Sequence, residues 1–465
     1  MIDNTIRYIF EVSFKIYAWI FKAIFKCFEY LIGSFKTKEI HGSAKWAGKL
    51  NTFAFLNAKN DGLVINGLDR LDLKHSFNHM AVIAPTGAGK TTGYIIPNVL
   101  QLNHSMLITD PSGEIYQKTR KHLRQKGFKL KTINPNDLKH THFYNPLAKV
   151  KTDTEIKKIS DILITNAYPE PKGDQEFWNN AARNIINIVI RVLKKGDPKK
   201  NNLAGVRNLL QLYGSSQFDQ TVAQNAVQST LNEFLGFERQ DTKVKQGAIS
   251  TAKYALEPFS DPDLCQLTEI DTIRYEDLRN RLTAIFVIVP EHEISYYSFL
   301  LSMMYTQIFN FCATMHPGSK NFPVFFLMDE FGNSGKIPNF ETLITTLRKR
   351  SCSISIILQD LKQVTKIYGK DSDSTIINGG CTGKIFFPGL GIETCTQIEK
   401  MLGQKTVNQS TEFGKKQMIG RSLYTADEVR RMRPDEAIFF YGNRPPIKLK
   451  ITPYYNNNSF QSRIP

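Results

Sequence analysis

A glycine-rich run in the first quarter of the chain carries the residue types that bind phosphate. It follows a short apolar segment, residues 80–84, and ends in a lysine and two threonines. The glycines let successive backbone N–H groups converge on one point, the lysine adds a positive charge, and the first threonine offers a hydroxyl to a magnesium ion. We therefore predict that ATP and Mg2+ bind at Ala84, Pro85, Thr86, Gly87, Ala88, Gly89, Lys90, Thr91 and Thr92.

The surroundings of this run are typical of a phosphate-binding loop. Such a loop follows a buried strand and opens a helix, and residues 80–84 and 91–100 have the apolar patterns of those two elements. Without this setting, average residue usage would give the pattern by chance in roughly one chain of this length in twenty-five. Two details depart from the usual form: Ala84 replaces the first glycine, and Pro97 is expected to end or kink the helix.

A second apolar segment, residues 322–328, ends in two carboxylates, Asp329 and Glu330. Beside a phosphate-binding loop, the first would hold Mg2+ and the second would polarise the water that attacks the γ-phosphorus. The alternative is structural, since an Asp-Glu pair at a strand end can cap the next helix. With the loop upstream, we favour catalysis, with Thr91 and Asp329 as metal ligands and Lys90 and Glu330 as catalytic groups.

A third apolar segment, residues 353–358, ends at Gln359 and follows an arginine-rich stretch. In ring ATPases the strand beside the carboxylate strand commonly ends in a residue that contacts the γ-phosphate, and a glutamine can report that phosphate through one hydrogen bond. An arginine at a subunit face can reach the neighbouring site and neutralise charge in the transition state. Arg348 is the first candidate and Arg350 the second, and a solvated helix end is the alternative for both.

Eight short apolar runs separated by helical patterns indicate the elements that must position these groups. Buried, nearly continuous apolar strands of this kind are typical of a parallel α/β sheet. The runs cover residues 80–84, 106–109, 130–133, 284–289, 324–328, 354–358, 384–387 and 437–441.

About 150 residues between the third and fourth runs contain no convincing strand, and several segments there have helical periodicity. The economical interpretation is an all-α domain inserted into the sheet domain. The Asn-rich C-terminal tail is expected to be disordered. The predicted plan is an N-terminal amphipathic helix at 1–40, a nucleotide-binding domain at 41–154 and 271–453, the all-α domain at 155–270 and the tail at 454–465.

Charge and cysteine content limit the class of partner and the compartment. Of 465 residues, 60 are Lys or Arg and 43 are Asp or Glu, which gives a net charge of +17. Such an excess favours a polyanion, either nucleic acid or an anionic membrane surface, although a coding bias toward lysine would produce part of it. The six cysteines form no C-x-x-C pair, which argues against a zinc site or a disulfide framework and fits a reducing compartment.

The first segment of the chain, residues 6–33, is rich in aromatic and aliphatic residues but is interrupted by six charges. Its uncharged runs are far shorter than the roughly 20 residues that a spanning helix needs. On a helical wheel the charges fall within an arc of about 100°, which predicts an amphipathic helix. It could lie in a membrane interface with Trp19 inserted, or it could pack on a partner or on the chain itself.

Motifs along nearly the whole chain after residue 40 resemble one family in their order and spacing. They are His41-Gly-Ser-Ala-Lys-Trp46, the loop at 84–91, Asp110-Pro-Ser-Gly-Glu114, Tyr144-Asn-Pro-Leu147, Phe177-Trp178, Phe259-Ser-Asp-Pro262, Asp329-Glu-Phe-Gly-Asn-Ser-Gly-Lys-Ile-Pro338, Ile357-Leu-Gln359 and Arg421-Ser-Leu-Tyr-Thr-Ala-Asp-Glu-Val-Arg430. The chain resembles the type IV secretion coupling proteins of the TraG/TraD conjugation class, which are RecA-like DNA-translocating ATPases related to FtsK. Arg348 and Gln359 lie at the spacings from Asp329 that the family's trans arginine and sensor glutamine require.

The resemblance implies a RecA-like P-loop NTPase domain with an inserted all-α domain. It also implies a homohexameric ring at the cytoplasmic face of the bacterial inner membrane, which recruits single-stranded DNA bound to a relaxase, or protein substrates, and delivers them to the components of the secretion channel. Two features depart from the family. Ser112 stands where a lysine is frequent, and one amphipathic segment replaces the usual pair of membrane helices.

Lysines at helical spacing after Gln359, namely Lys362, Lys366 and Lys370, could link the nucleotide state to a grip on DNA, or could form a solvated face. The preferred hypothesis is an ATP-hydrolysing coupling motor for DNA. The alternative is a substrate receptor or assembly factor for protein secretion, with ATP as a conformational ligand. Glu330 favours the motor, because a receptor would not need a catalytic carboxylate.

Overall fold

The computed structural model describes residues 40–315, 318, 321–410 and 416–464. The described residues form two compact units. The smaller unit runs up to Lys45 and includes Cys395–Val429, and the larger unit comprises Trp46–Thr394 and Arg430–Pro465.

The larger unit is built on a nine-stranded sheet whose strands lie in the order β11-β10-β7-β1-β6-β5-β2-β4-β3. The strands are β1 Met80–Ile83, β2 Ser105–Thr109, β3 Lys129–Ile133, β4 Thr283–Val287, β5 Val324–Met328, β6 Cys352–Leu358, β7 Gly383–Phe386, β10 Glu436–Tyr441 and β11 Ile447–Lys450. The seven strands from β7 to β3 are parallel, and β10 and β11 extend the sheet with antiparallel pairs.

All eight strands predicted from apolar runs are confirmed, and β11 was not predicted. The residues of β1, β2, β4, β5 and β6 are buried throughout, as expected for a parallel sheet that is covered on both faces. In β11 buried and exposed residues alternate, and Lys448 and Lys450 face solvent. A short edge strand with charged residues has no continuous apolar run for sequence analysis to detect.

Helices connect the strands and fill the predicted insertion. Before β3 these are α1 Lys49–Phe55, α2 Leu73–Ser76, α3 Ile96–Gln101 and α4 Glu114–Gln125. Between β3 and β4 they are α5 Asp153–Ala167, α6 Gln175–Lys195, α7 Leu203–Gln211, α8 Ser216–Asn225, α9 Gln228–Glu238, α10 Thr242–Ala255, α11 Pro262–Glu269 and α12 Asp277–Asn280. Residues 134–282 are all described and contain helices but no strand of either sheet, and the all-α domain at 155–270 stays a prediction.

The later helices follow the same alternation with strands. They are α13 Ile294–Thr314, α14 Phe340–Arg348, α15 Lys362–Tyr368, α16 Ile392–Leu402, α17 Ala426–Arg430 and α18 Asn458–Gln461. Buried side chains of β1, β2 and β5, together with those of α3 and α4, belong to one apolar core. This core fixes the strand ends from which the predicted site residues project.

The helix that follows the glycine-rich loop does not end at Pro97. A π-helical turn, Thr91–Ile95, leads into α3, and the Ile96 N–H bonds to the Thr91 carbonyl five residues earlier. Pro97 lies in the first turn of α3, where its missing N–H is tolerated. The wider π turn before it therefore allows the helix to continue to Gln101.

The prediction of a disordered tail at 454–465 is wrong for its described residues. A 3-10 turn, Tyr454–Asn456, and α18 are ordered, and Tyr454 and Phe460 are buried in the core. The Lys118 Nζ donates to the Tyr454 hydroxyl at 2.5 Å, and Arg463 donates to the Leu100 carbonyl at the end of α3. The aromatic residues decide the outcome, because burying their rings offsets the entropy cost that the asparagines suggested.

The smaller unit contains a two-stranded antiparallel sheet that the sequence analysis did not predict. Its strands, β8 Gln404–Ser410 and β9 Lys416–Ser422, pair from Gln404 opposite Ser422 to Ser410 opposite Lys416. Both strands are polar, so no apolar run marks them. Within this unit the Ser422 hydroxyl donates to Glu399 at 2.6 Å.

The amphipathic helix predicted at 1–40 lies outside the described residues except for its last position. Among the residues that the structure describes, no helix has the length and apolar character to cross a membrane.

Candidate nucleotide-binding site

The glycine-rich loop begins where β1 ends, in the middle of the sheet between β6 and β7. The Ala84 N–H bonds to the Leu358 carbonyl at 2.9 Å, which fixes the entry to the loop against β6. Gly87 and Gly89 have φ angles of 80° and 86°, in the left-handed region that only glycine adopts readily. A Cβ at Gly87 would meet no atom within 4 Å, so the concave side of the loop is open to a phosphate.

The two predicted carboxylates face the loop lysine. They follow β5, which is separated from β1 by β6 alone. The Lys90 Nζ lies 2.5 Å from Glu330 Oε1 and 3.2 Å from Asp329 Oδ1. Asp329 and Glu330 are both buried. The tertiary structure therefore brings the three groups together across 240 residues of sequence.

Two side-chain amides hold the Glu330 carboxylate. The Gln359 Nε2 donates to both of its oxygens at 3.0 and 3.1 Å, and Asn333 Nδ2 donates to Oε2 at 3.3 Å. Glu330 also has a φ of 53°, an uncommon left-handed conformation for a residue with a side chain. Such backbone geometry persists where the surroundings hold it and is frequent at functional sites.

Burial perturbs the acid-base properties of the site. The net pKa of Asp329 is raised to about 6, because desolvation and the charge of Glu330 raise it more than Lys90 lowers it. For Lys90, burial lowers the pKa, but Asp329 and Glu330 outweigh it and the net pKa is raised. Lys90 is therefore charged at neutral pH, and the buried carboxylate of Asp329 is one that a bound cation would keep ionised.

Sequence analysis assigned no site role to two members of this cluster, Asn333 and Asp110, although both lie in the motifs at 329–338 and 110–114. Asp110 directly follows β2, the strand next to β5, and is fully buried. Its oxygens accept from the N–H groups of Ile115 and Tyr116 at 3.2 and 2.7 Å, and desolvation, with Asp329 also contributing, raises its pKa to about 6. A carboxylate at the end of a parallel strand was a detectable signal for Asp110, and the signal for Asn333 was its place in the family motif at 329–338.

The two arginine candidates lie away from the site of their own chain. Arg348 is exposed at the end of α14, and the carbonyl of Ile344 in that helix contacts His79 Nε2 at 2.6 Å. His79 precedes β1, so α14 lies at the opposite end of this four-residue strand from the loop, about 13 Å along it. Arg350 is half-buried, and its Nε donates to the Ala313 carbonyl at 2.9 Å.

The site and the fold agree with comparisons to known proteins. A protein family described as type IV secretory system conjugative DNA transfer matches residues 36–465, which include the loop, the carboxylates and Gln359. The chain belongs to this conjugative DNA transfer family. It is 25% identical over 463 residues to the protein VirD4 of Rhizobium radiobacter, covering 93% of this chain and 66% of VirD4. It therefore spans just under two thirds of the length of that relative.

Two further comparisons show how far the likeness extends. The conjugal transfer protein TraG of Escherichia coli is 22% identical, with 86% of this chain and 71% of TraG covered. The plasmid coupling protein TrwB, solved in complex with ADP and Mg2+, superposes with a TM-score of 0.69 at 16% identity and covers 89% of this chain and 96% of TrwB. This last comparison establishes a shared, TrwB-like α/β fold. A protein that holds ADP and Mg2+ therefore shares this fold.

Proposed function

We propose that this chain is an ATP-hydrolysing coupling motor that moves single-stranded DNA, bound to a relaxase, to the channel of a type IV secretion system. The observation that carries the proposal is the contact of Lys90 with Asp329 and Glu330 beneath the open glycine loop. A lysine that reaches a phosphate and a carboxylate that orients water are the two groups that phosphoryl transfer to water requires.

In the proposed reaction, the loop from Ala84 to Thr92 binds the ATP phosphates through its N–H groups and Lys90. Lys90 exchanges its carboxylate partners for phosphate oxygens, which releases Glu330 to orient the attacking water. Thr91 and Asp329 would hold Mg2+, which when bound supplies positive charge to the β- and γ-phosphates. The buried carboxylate of Asp329, with its pKa raised to about 6, suits this role, because a cation compensates the charge that burial disfavours.

Gln359 is the proposed sensor of the γ-phosphate, because its amide already binds the carboxylate that acts on that phosphate. Arg348 is exposed and distant from its own loop, which supports a role in trans, in which it completes the site of the next subunit of a ring. We therefore propose a homohexamer whose sites lie between subunits.

A membrane-bound location completes the proposal. The protein would act at the cytoplasmic face of the inner membrane, held by the amphipathic segment predicted at 1–40 or by channel components. Its net charge of +17 suits both DNA and an anionic membrane surface. Cell fractionation tests the anchor: a variant that lacks residues 1–34 should leave the membrane fraction, and its retention there would contradict anchoring by this segment.

The motor itself is tested by the ATPase rate of the full chain, measured with and without single-stranded DNA. We expect DNA to raise the rate of the wild-type protein. Lys90→Ala should lose nucleotide binding, and Glu330→Gln should bind ATP but hydrolyse it at least about 100-fold more slowly, the scale of a lost general base. A rate that DNA does not change, together with DNA transfer that survives both substitutions, would instead identify a substrate receptor.

A further inference from the structure

A second cavity, of about 630 Å3, lies beside the edge strand β3 and is separate from the nucleotide site. One face of α4 and the outer part of β3 line it, and it reaches the carboxyl ends of β2 and β4. We call it the edge groove and define it by Tyr116, Gln117, Arg120, Arg124, Thr132 and His142. Its volume falls in the range of ligand sites, and the carboxyl ends of parallel strands are where α/β proteins bind ligands.

The edge groove carries a net positive charge. Arg120 and Arg124 lie one turn apart on α4, and both are exposed. Within the described part of the chain, neither guanidinium forms an ion pair with a carboxylate. Lys118 on the same helix, by contrast, pairs with Glu114 at 3.2 Å.

The other groups at the edge groove cancel this charge only in part. Asp137, the acidic residue on the wall, offsets one of the two positive charges and accepts a hydrogen bond from His140 at 3.0 Å. The Arg120 guanidinium lies 5.7 Å from the Tyr116 ring centre, which holds it over an aromatic face without neutralising it. The site therefore presents two free planar cations, and such cations bind phosphate oxygens in a bidentate manner.

The groove suits a nucleic-acid strand better than a membrane. None of its wall residues is an exposed large apolar side chain, and interfacial membrane binding depends on such residues. Two cations on consecutive turns of one helix can instead hold phosphates of a single strand, and such contacts do not depend on sequence. Gln117, which is exposed on the same helix, adds an amide for a sugar or base.

The groove is also linked to the nucleotide site through α4. The Asp110 carboxylate, whose pKa is raised by burial and further by the charge of Asp329, accepts hydrogen bonds from the N–H groups of Ile115 and Tyr116 in the first turn of that helix. A DNA strand bound by Arg120 and Arg124 would therefore pull on α4, the helix whose first turn is bound by Asp110. This gives DNA a short physical connection to the proposed Mg2+ ligand.

We propose that the edge groove binds the phosphate backbone of single-stranded DNA through Arg120 and Arg124, an inference that rests on the proposed function. It places a DNA contact beside the nucleotide site, in addition to any contact made by Lys362, Lys366 and Lys370. The structure shows Lys362 in an ion pair with Glu393 at 2.5 Å, so that lysine is already compensated.

The test measures the salt dependence of oligothymidine binding by fluorescence anisotropy, using the full chain. The Arg120→Ala/Arg124→Ala variant should show a slope of log K against log salt that is smaller by about 1.4, since each phosphate contact on a single strand contributes about 0.7. The matched control, Lys59→Ala/Lys74→Ala, removes two exposed lysines elsewhere and should keep the wild-type slope. Arg120→Lys/Arg124→Lys should restore most of the slope, and unchanged ATPase activity without DNA verifies folding.

The outcomes separate the groove from the motor. If the wild-type protein and the groove variant bind DNA with the same slope, the proposed DNA contact at the edge groove is wrong and the proposed function stands. If the wild-type protein binds no single-stranded DNA at any salt concentration, both the proposed function and the DNA contact at the edge groove are wrong. Groove-dependent binding to phosphatidylserine vesicles, with DNA binding unaffected, would assign the groove to a membrane and overturn the inference.

Discussion

At the residue scale, the two carboxylates and an incoming triphosphate would compete for the ammonium group of Lys90. Its ammonium contacts Asp329 and Glu330, and Glu330 in turn is held by Gln359 and Asn333. A triphosphate that enters the loop must displace these carboxylates from Lys90. When that happens, the two amides are the groups that keep Glu330 in place, so they determine whether the carboxylate is ready to act on water.

We predict that Gln359→Ala lowers the ATPase kcat by about 10- to 100-fold while nucleotide affinity changes less than about threefold. The reason is that Gln359 makes two hydrogen bonds to the Glu330 carboxylate, whereas the loop that binds ATP is unaltered. Turnover and binding of a non-hydrolysable ATP analogue provide the two measurements.

Asn333→Ala serves as the graded comparison, because its single 3.3 Å bond to Glu330 should matter less. Gln240→Ala, an exposed amide at the end of α9, is the neutral control. A Gln359→Ala protein with wild-type kcat would show that this amide does not position Glu330.

At the element scale, one buried histidine fastens α14 to the sheet. His79 Nε2 contacts the Ile344 carbonyl of α14 at 2.6 Å, and the Ile354 N–H of β6 donates to Nδ1 at 3.0 Å. Both bonds are satisfied by a neutral ring, with the proton on Nε2. Burial, with a smaller contribution from Arg348, lowers the pKa of His79 to about 4.

This pKa predicts a loss of stability in acid. In the unfolded chain a histidine takes up a proton below about pH 6.5, whereas the folded protein keeps His79 neutral down to about pH 4. The contribution of His79 to the free energy of unfolding is therefore complete above pH 6.5. It decreases as the pH falls toward 4, by about 3 kcal/mol in total. Denaturant unfolding of the sheet, measured across this range, should show the decrease, and His79→Asn should flatten it.

Asparagine is chosen because it tolerates the positive φ of 57° at this position. His292→Gln is the control, since that side chain is 79% exposed and should leave the pH profile unaltered. An identical profile for wild-type and His79→Asn proteins would show that His79 is not the group that titrates.

The C-terminal tail is the second element whose contribution can be measured. Phe460 is 1% exposed within the core and Tyr455 is 50% exposed, although both belong to the same short segment. We predict that Phe460→Ala lowers the free energy of unfolding by about 3 kcal/mol or more, whereas Tyr455→Ala changes it by less than about 0.5 kcal/mol. Equal, small effects from both substitutions would show that the tail is not part of the core.

At the scale of the whole molecule, the position of Arg348 decides how many chains make one site. The glycine loop and Arg348 lie at opposite ends of β1, so a single chain cannot bring this arginine to its own γ-phosphate without rearrangement. A ring resolves the geometry, because the exposed end of α14 on one subunit can face the loop of the next.

We predict that Arg348→Ala lowers kcat by roughly 1000-fold or more, as the loss of an arginine finger does. Lys90→Ala should also be inactive, because it would lose the proposed phosphate contact. Mixing the two inactive proteins should restore part of the activity, since a Lys90→Ala subunit supplies an intact Arg348 to the site of its neighbour. Turnover as a function of the mixing ratio is the measurement.

Lys349→Ala, the next residue along and also exposed, is the matched control and should retain full activity. Mixtures that stay inactive at every ratio would contradict a trans role for Arg348. Restored activity with Lys349→Ala fully active would support sites shared between subunits.

The sequence alone determined the elements that carry local signals. Continuous apolar runs identified eight of the nine strands of the large sheet, because a strand buried on both faces must be apolar along its length. The glycines, Lys90 and the carboxylates were visible because phosphate binding restricts residue types at fixed spacing. Local signals failed for β8, β9 and β11, which are polar or alternating, and for the tail.

The tertiary structure decided which of these residues meet. Strand order, set by contacts between distant segments, places β6 between β1 and β5 and thereby brings Lys90, Glu330 and Gln359 within hydrogen-bonding distance. It also adds Asn333 and Asp110 to the cluster, leaves Arg348 at the far end of β1, and buries Phe460. The physical reason is the same in each case: a side chain's neighbours depend on how the sheet is assembled, and residue type and spacing do not encode that assembly locally.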